Sequence, residues 1–205
     1  MIGIVDYGMG NLLSVLNAVE HLGFEAEICD EPYLLLSKER IILPGVGSFH
    51  DCMRNLSNKG FVEVLNEIVL VKKTPVLGIC LGMQAMAKKS YEGGEFKGLG
   101  WFDADVVRIT PNDPNLKVPQ IGWNNITRKK KHPLFEGLPE SPDLYFVHSF
   151  HMRCANPDDI LAVCDYGSEV TAAVSKDNIC ATQFHPEKSQ DHGLKILYNF
   201  LDWNP

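Results

Sequence analysis

Three short apolar segments, each leading into a turn and then into a helical stretch, constrain the fold of this 205-residue chain most strongly. They are residues 2–5, 41–43 and 75–79. Continuous rather than alternating apolar residues are typical of strands that helices cover on both faces. Because strands that alternate with helices pair in parallel through right-handed crossovers, the pattern predicts a three-layer α/β fold with an open, mostly parallel sheet.

The remaining elements are predicted from spacing and turn residues. A first helix between Leu12 and Leu22 is expected to be capped by Asn11 and ended by Gly23. Further helices are predicted at about 49–56, 61–71, 81–89 and 190–203. Strands are predicted at 24–29, 101–109, 144–150, 160–164, 170–175 and 179–184. The proline-rich residues 110–143 are expected to form a surface loop, and residues 1–205 a single domain.

Charge and cysteine content exclude several classes of protein. Asp and Glu number 26 against 19 Lys and Arg, and the net charge of −7 argues against nucleic-acid binding. No apolar run approaches the roughly 20 residues that span a bilayer, so we expect no membrane association. The six cysteines form no CxxC pair, so we expect neither a zinc ribbon nor a disulfide framework, and a location in the reducing cytoplasm.

The most informative local motif is Gly-Ile-Cys-Leu-Gly-Met-Gln at residues 78–84, where a predicted strand meets a predicted helix. A nucleophile at such a turn projects outward, and small residues two positions away on each side let the neighbouring backbone pass. The helix N-terminus favours thiolate over thiol and offers N–H donors to an oxyanion. Alone, the motif leaves two interpretations open, a nucleophilic Cys80 and a buried structural cysteine.

A second motif, Phe-His-Pro-Glu at residues 184–187, favours the nucleophile. In an extended segment residues i and i+2 point the same way, so Glu187 can orient one ring nitrogen of His185. The other ring nitrogen can then accept the proton of Cys80. A lone His-Pro-Glu is most often a turn, but together with the elbow cysteine it indicates a Cys-His-Glu triad.

The segment Pro-Gly-Val-Gly at residues 44–47 follows another strand that is predicted to be parallel. Its glycines permit close approach of a substrate to the backbone and rotation of a peptide, although an ordinary turn is the alternative. Ligands of open α/β sheets bind beyond the carboxyl ends of the strands. We therefore expect this loop and Cys80 at the same edge of the sheet.

Other patterns are weaker. His148 and His151 would face opposite sides of a strand, so we expect no metal site there. Gly8-Met9-Gly10 lacks the third glycine of a dinucleotide fingerprint, so we expect no such cofactor. The basic residues 128–131 are interpreted as a solvated face, with a phosphate-bearing partner surface as the alternative.

The elbow and the His-Pro-Glu motif together resemble those of the class I, or triad, glutamine amidotransferases, which have a flavodoxin-like α/β fold. Further segments narrow the resemblance to the branch that supplies ammonia for imidazole glycerol phosphate formation in histidine biosynthesis. These segments span nearly the whole chain in order: residues 5–12, 44–49, 122–124, 145–149 and 185–189.

The resemblance implies that Cys80 attacks the side-chain amide of glutamine, releases ammonia and forms a thioester that water hydrolyses. His185 would act as base and then as acid, with Glu187 as its orienter, and no cofactor or metal would take part. The oxyanion hole is assigned to the N–H groups of Val46, after rotation of the preceding peptide, and Leu81. Glutamine would be held by Gly47, Gln84, Glu92, Ser149 and Phe150.

A second chain is also implied. Free ammonia is protonated at pH 7 and lost as a nucleophile, so it should pass directly to a synthase site, for which the glutaminase fold leaves no room. The resemblance makes this partner a (β/α)8-barrel cyclase in a heterodimer. Positions matching its interface in relatives are Asn11, Gln120, Trp123, Tyr145 and Lys188. For Trp123, a core position is an equally supported interpretation.

Some residues depart from the histidine branch. Gln120-Ile121 differs from the form expected there, and residues 189–195 are compatible with paralogues that supply ammonia for amidino-sugar formation in surface polysaccharides. This alternative changes the acceptor and leaves the glutaminase chemistry intact. Two further alternatives, a non-catalytic regulatory subunit and a cysteine hydrolase of another kind, are disfavoured by the complete triad and by the specificity of the motifs.

Overall fold

The computed structural model describes every residue from 1 to 205. Its α-helices are α1 (Leu12–His21), α2 (Phe49–Asn58), α3 (Phe61–Asn66), α4 (Leu81–Ala85) and α5 (Gln190–Asp202). Its strands are β1 (Ile2–Val5), β2 (Ala26–Cys29), β3 (Arg40–Gly45), β4 (Val76–Cys80), β5 (Ala87–Ser90), β6 (Phe96–Lys97), β7 (Phe102–Arg108), β8 (Gln120–Asn125), β9 (Thr127–Arg128), β10 (Asp143–His148), β11 (Phe150–Cys154), β12 (Ile160–Asp165), β13 (Glu169–Lys176) and β14 (Ile179–Thr182).

The main sheet has eight strands in the order β2-β1-β3-β4-β14-β13-β12-β9. The first five strands pair in parallel. The last three strands extend the sheet by antiparallel pairing. The predicted parallel α/β sheet is therefore confirmed for the half that carries the motifs, and the complete sheet is mixed.

Apolar side chains form one core on each face of this sheet, which gives the predicted three layers. One core contains 27 buried residues and includes Phe49 of α2 and Leu65 of α3. The other contains 25 buried residues and includes Val15 of α1 and Leu197 of α5. The strands β1, β3 and β4 contribute to both cores, as their continuous apolar sequences predict.

Two smaller β structures cover one end of the molecule. Strands β11, β7, β5 and β6 form a four-stranded sheet, and β8 pairs with β10 in an antiparallel ribbon. None of the helices combines the length and the apolar character that crossing a bilayer requires. All six cysteines carry free thiols.

Three predicted elements are wrong. The helix expected at 81–89 ends at Ala85, and residues 87–90 form β5, which pairs in parallel with β7. The expected loop at 110–143 contains β8 and β9. The expected strand at 144–150 is two strands, β10 and β11, which separate at Ser149 and join different sheets.

The predicted first helix is confirmed with one change at its start. It ends at His21, and Gly23 follows with φ +85, a backbone conformation that glycine adopts at low cost. Asn11 is the N-cap residue, but its side chain makes no capping hydrogen bond. The side chain of Asn11 is therefore free for other contacts.

The parallel register places the motifs at one edge of the sheet. Gly45, the last residue of β3, is paired with Cys80, the last residue of β4. Strand β14 lies on the other side of β4 and leads through Gln183 and Phe184 to His185. Three neighbouring strands thus deliver three sequence motifs to the same carboxyl edge.

Candidate active site

Cys80 occupies the strained turn that the sequence predicts. Its backbone has φ 54 and ψ −108, and α4 begins at the next residue. A Cβ atom at Gly82 would lie 1.8 Å from the carbonyl oxygen of Leu43, so only glycine lets β3 pass this turn. At Gly78 a Cβ would lie 2.7 Å from Cε of Met86. Gly82 is therefore required by close packing against β3, while Gly78 is tightly packed against a flexible methionine side chain and the Gly82 backbone, 3.0 Å away.

The imidazole of His185 is held by Glu187. Nδ1 of His185 lies 2.8 Å from Oε1 of Glu187, and both side chains are almost completely buried. Because a carboxylate only accepts hydrogen bonds, Nδ1 carries the proton and Nε2 is left for the Cys80 side. Nε2 has no hydrogen-bond partner of standard geometry. The ring is thus oriented but not yet aligned on the sulfur.

Electrostatics favour a proton on this ring. Burial lowers the pKa of His185, but the Cys80 sulfur and the Glu187 carboxylate outweigh it and raise the pKa to about 9. The ring therefore interacts with the sulfur even though the pair lacks good hydrogen-bond alignment. An imidazolium beside a sulfur stabilises the thiolate form of that sulfur.

Two other groups contact the Cys80 sulfur. Nε2 of Gln183 donates to it at 3.6 Å, and the thiol itself points toward the carbonyl oxygen of Val147 at 3.9 Å. Cys80 is 6% exposed. It packs against the second core on one side and lines a cavity on the other. This separates it from Cys52 and Cys180, whose thiols are buried in the two cores, where burial raises the pKa of each.

A cavity of about 400 Å³ contains most of the predicted site residues. It brings together Cys80 and His185 with both predicted oxyanion residues and all five predicted glutamine-binding residues. The lining residues from the predicted set are Val46, Gly47, Cys80, Leu81, Gln84, Glu92, Ser149, Phe150, His185 and Lys188. The volume and the polar lining residues suit a small polar molecule.

Two of the predicted glutamine-binding side chains are already engaged within the protein. Nε2 of Gln84 donates to the carbonyl oxygen of Phe150 at 2.9 Å and to Oε1 of Gln183 at 3.0 Å. Both of its N–H groups are used, so Gln84 can offer a ligand only its oxygen. Oε2 of Glu92 accepts from the backbone N–H of Phe49 at 2.8 Å. This bond ties the loop after β5 to the start of α2.

The two predicted oxyanion donors line the same cavity as Cys80. Leu81 is the first residue of α4, where backbone N–H groups are free of helical partners. Val46 is 40% exposed and follows Gly45 in the loop after β3. Gly47 has φ +104, and a Cβ there would lie 2.7 Å from Cε of Met9. The loop therefore depends on glycine for its shape.

Of the predicted interface residues, some lie at the surface of the structure and one is buried. Trp123 of β8 is 47% exposed and packs edge-on against Tyr145 of β10, with ring centroids 5.9 Å apart. The core interpretation of Trp123 is therefore wrong. Lys188 is exposed at the rim of the cavity. Asn11 is partly exposed at the start of α1.

The prediction that Gln120 is an interface residue is wrong, because Gln120 does not lie on an exposed surface. It is only 2% exposed; Oε1 lies 3.0 Å from Nε2 of His148, and Nε2 donates to the sulfur of Cys164 at 3.4 Å. The alternating burial of β8 turns Gln120 inward and its neighbour Ile121, 62% exposed, outward. On this stretch of β8 the outward-facing side chain is therefore that of Ile121 and not that of Gln120.

The backbone of His185 is also joined to the β8–β10 ribbon. The N–H of His185 donates to the carbonyl oxygen of Tyr145 at 2.9 Å. Oγ of Ser189 donates to the carbonyl oxygen of His185 at 2.6 Å and accepts from the N–H of Tyr145 at 2.9 Å. Because Ser189 is 1% exposed, these three bonds are shielded from water.

The basic residues 128–131 are mostly committed to internal contacts. The Arg128 guanidinium donates to the carbonyl oxygens of Leu138 and Pro139. Lys129 pairs with Glu169 at 2.7 Å, and Lys130 donates to the carbonyl oxygen of Asp158. A phosphate-binding surface would need these cations free, so the solvated-face interpretation is the better one for the two lysines.

A model of the family described as glutamine amidotransferase class-I matches residues 3–203. The chain belongs to this family. Among its relatives are three chains named as imidazole glycerol phosphate synthase subunits. Subunit HisH 2 of Nitrobacter winogradskyi is 48% identical over 209 residues, covering 100% of this chain and 99% of the relative. Subunit HisH of Brucella abortus is 49% identical over 214 residues, with the same coverage. Subunit HisH 1 of Campylobacter jejuni is 47% identical over 201 residues, covering 98% and 99%.

Solved structures agree with the fold of a class I amidotransferase. A structure titled glutamine amidotransferase superposes with a TM-score of 0.75 at 21% identity, covering 97% of this chain and 98% of that chain. PurLQS from Thermotoga maritima superposes with a TM-score of 0.74 at 19% identity, covering 98% and 97%. At such identities the likeness establishes the fold alone.

Sequence reasoning missed four residues at the site of this amidotransferase. Pro119, Val147 and His148 line the cavity, and Gln183 touches the sulfur from behind it. For His148 the sequence predicts only that it does not bind a metal. Its ring is instead bonded to Phe150 and Gln120, and burial lowers its pKa to about 4, so it is neutral. A signal for Gln183 existed, since it stands directly before the Phe-His-Pro-Glu motif.

Proposed function

We propose that this chain is the glutaminase subunit of an imidazole glycerol phosphate synthase, acting in histidine biosynthesis in the cytoplasm. One observation carries the proposal: Cys80 and His185 share a cavity, and Glu187 orients the histidine at 2.8 Å. Full-length relatives named as subunits of that synthase support the pathway. Since the family model matches residues 3–203, we further propose that residues 1–205 act as a single glutaminase domain.

The first half of the proposed reaction uses the Cys80–His185 pair. The Cys80 sulfur attacks the side-chain carbonyl carbon of glutamine, with its proton already on Nε2 of His185. His185 then gives this proton to the departing nitrogen, and the C–N bond breaks to release ammonia. Glu187 keeps the ring in the orientation that serves both transfers. The product on the enzyme is a glutamyl thioester.

The second half hydrolyses the thioester. Nε2 of His185 accepts a proton from water as the water attacks the thioester carbonyl, and glutamate leaves as the C–S bond breaks. In both halves a negative charge develops on the carbonyl oxygen. The N–H of Leu81 and the N–H of Val46, after rotation of its peptide, are the proposed donors to this oxygen.

The remaining cavity residues are proposed to hold glutamine. Gln84 would accept an N–H of the ligand, because its own N–H groups are occupied. Glu92 would attract the ligand's ammonium group as a carboxylate at the cavity wall. The backbones of Gly47, Ser149 and Phe150 would complete the site.

A partner chain is proposed to consume the ammonia. The relatives are named as subunits, and a (β/α)8-barrel cyclase is the partner that the sequence resemblance implies. The exposed Trp123 and the partly buried Tyr145, with Lys188 at the cavity rim and Asn11 beside α1, form the proposed interface. Aromatic residues such as Trp and Tyr are enriched at such surfaces.

The proposal is tested with the Cys80→Ala variant assembled with the cyclase subunit encoded in the same genome. Glutamine-dependent formation of imidazole glycerol phosphate should fall to background, because no other group can form the thioester. The same complex supplied with ammonium salt should retain its synthase activity, which controls for folding and assembly. Retained glutamine-dependent synthesis in this variant would refute Cys80 as nucleophile.

The acceptor is tested separately by offering the wild-type chain two barrel partners. We expect stimulation of glutamine hydrolysis by the histidine-pathway cyclase and none by a barrel subunit of amidino-sugar synthesis. The reverse result would leave the glutaminase mechanism intact and reassign the pathway to surface polysaccharides.

A further inference from the structure

Gln183 lies behind the nucleophile, in a place that the mechanism above leaves unused. It is the residue that joins β14 to the catalytic His185 segment, and it is completely buried. It does not line the cavity, so it cannot touch a bound substrate. Its side-chain amide nevertheless contacts two groups of the site, Gln84 at 3.0 Å and the Cys80 sulfur at 3.6 Å.

The carbonyl oxygen of Phe150 determines which group donates and which accepts in each of these hydrogen bonds. The carbonyl oxygen of Phe150 can only accept, so the atom of Gln84 that lies 2.9 Å from it must be Nε2. The second hydrogen of that nitrogen goes to Gln183, whose facing atom must therefore be Oε1. Nε2 of Gln183 is then turned toward the sulfur, where it can only donate.

We infer that Gln183 is a positioning residue that donates a hydrogen bond to the Cys80 sulfur and so stabilises its thiolate, as the last member of a relay from Phe150 through Gln84. This inference deepens the proposed function and rests on it for the catalytic consequence. The donor needs no rearrangement during the reaction, because the relay is buried and each amide is held by its neighbour.

A second consequence follows from where the relay begins. Phe150 belongs to β11, at the wall proposed to hold glutamine, while the sulfur belongs to the end of β4. A displacement of Phe150 would therefore alter the hydrogen bond to the Cys80 sulfur through the side-chain amides of Gln84 and Gln183. A hydrogen bond to a charged group in a buried site is worth enough to move a pKa by about one to two units.

The experiment compares wild type with Gln183→Met, which keeps the side-chain length and removes the donor. Alkylation of Cys80 by iodoacetamide is followed across pH by mass spectrometry of the peptide that contains it. The midpoint should rise by about one to two pH units. In the assembled synthase, kcat for glutamine should fall about 10-fold or more with a smaller change in KM, because Gln183 does not touch the substrate.

Two controls keep the result interpretable. Gln183→Glu has nearly the same shape and still accepts from Gln84, but once its carboxyl ionises it has no hydrogen to donate and adds a negative charge beside the sulfur, so its alkylation midpoint should rise at least as far. Asn199→Leu removes another buried amide, remote from the site, that donates to the carbonyl oxygens of Leu134 and Glu136. It should lower the melting temperature without moving the midpoint.

An unchanged midpoint in a folded Gln183→Met or Gln183→Glu protein overturns the inference. An equal shift in Asn199→Leu would do the same, since it would assign the effect to general loosening. The alkylation readout does not require glutamine to be the substrate. A shifted midpoint without any glutaminase activity in wild type would therefore refute the proposed function and leave the thiolate contact standing.

Discussion

His185 lies between two groups that can both carry negative charge, and this arrangement decides its protonation. Burial alone would keep the ring neutral, as it does for His148, whose pKa is lowered to about 4 in the wall of the same cavity. The Cys80 sulfur and the Glu187 carboxylate reverse this effect and raise the pKa of His185 to about 9. At neutral pH His148 is therefore neutral and His185 is protonated, although both line the same cavity.

The raised pKa predicts a measurable titration. In wild type the imidazole of His185 should titrate near pH 9, and in Cys80→Ala at a clearly lower pH, because one of the two anionic partners is gone. NMR titration of the ring signals measures both values. Identical midpoints in the two proteins would show that the sulfur does not act on the ring.

The same shift has a consequence for stability. The pKa of His185 is raised from its ordinary value of 6.5 to about 9 in the folded protein. Binding of this proton therefore stabilises the folded state, and the stabilisation is complete below pH 6.5. This contribution is lost as the pH rises from 6.5 through 9. The free energy of unfolding in denaturant should decline over that window by less in Cys80→Ala than in wild type.

The placement of Cys80, His185 and Glu187 could be predicted from the sequence because their arrangement is encoded locally. Cys80 stands in a seven-residue elbow, and His185 and Glu187 are two residues apart, so each motif contains its own geometric argument. The role of the Gln84 amide could not be predicted in this way. Its partners, Phe150 and Gln183, are 66 and 99 residues distant along the chain.

At the scale of elements, the loop after β3 is confined by the helix and the strand beside it. Gly45 is packed so closely that a Cβ there would lie 2.3 Å from Oη of Tyr7 and 3.0 Å from Cβ of Leu81. Tyr7 is completely buried, and Cys52 donates to its hydroxyl oxygen at 3.5 Å. Gly45, the first residue of the peptide that is proposed to rotate, is therefore held in place by its packing.

This packing predicts the effect of Gly45→Ala. The added methyl group should lower the free energy of unfolding by about 1–3 kcal/mol, as is typical of overpacking in a core. Tyr7→Phe removes the hydroxyl from the contact, so the double variant Tyr7→Phe/Gly45→Ala should recover part of the loss. Denaturant unfolding of the four proteins measures the coupling. Additive effects would mean that the hydroxyl is not the obstacle.

The elements that the sequence predicted wrongly share one cause. Residues 86–89, Met-Ala-Lys-Lys, favour helix locally, but pairing with β7 makes residues 87–90 a strand. Residues 120–125 follow a proline and include a glycine and two asparagines, yet they pair along their whole length with β10. In both cases the decisive partner lies elsewhere in the chain, so local propensity could not reveal it. The parallel strands β1, β3 and β4 were predictable because they are buried on both faces, and their continuous apolar sequences indicate this directly.

At the scale of the whole molecule, one exposed surface is continuous with the cavity. The β8–β10 ribbon carries Ile121, Trp123 and Tyr145, and Lys188 and Val147 belong to the cavity lining. Ile121 and Trp123 are 62% and 47% exposed, which is unusual for apolar residues of a strand. A partner on this surface, as proposed above, would lie beside the cavity that contains Cys80.

This surface predicts an asymmetry between two exposed aromatic residues. Trp123→Ala should weaken binding of the cyclase subunit about 10- to 100-fold, as expected for an aromatic residue at the centre of an interface. Tyr33→Ala is the matched control, because Tyr33 is 65% exposed in the turn at Pro32–Ser37. Calorimetric titration measures both affinities, and equal affinities would remove Trp123 from the interface.

The shielded bonds that join Tyr145, Ser189 and His185 have a mechanical consequence. Tyr145 belongs to the outward ribbon, and its main chain is also hydrogen-bonded to the segment that carries His185. The ribbon and the His185 segment should therefore move together rather than independently. If a partner binds the ribbon as proposed above, a shift of the ribbon on binding would be transmitted to the imidazole.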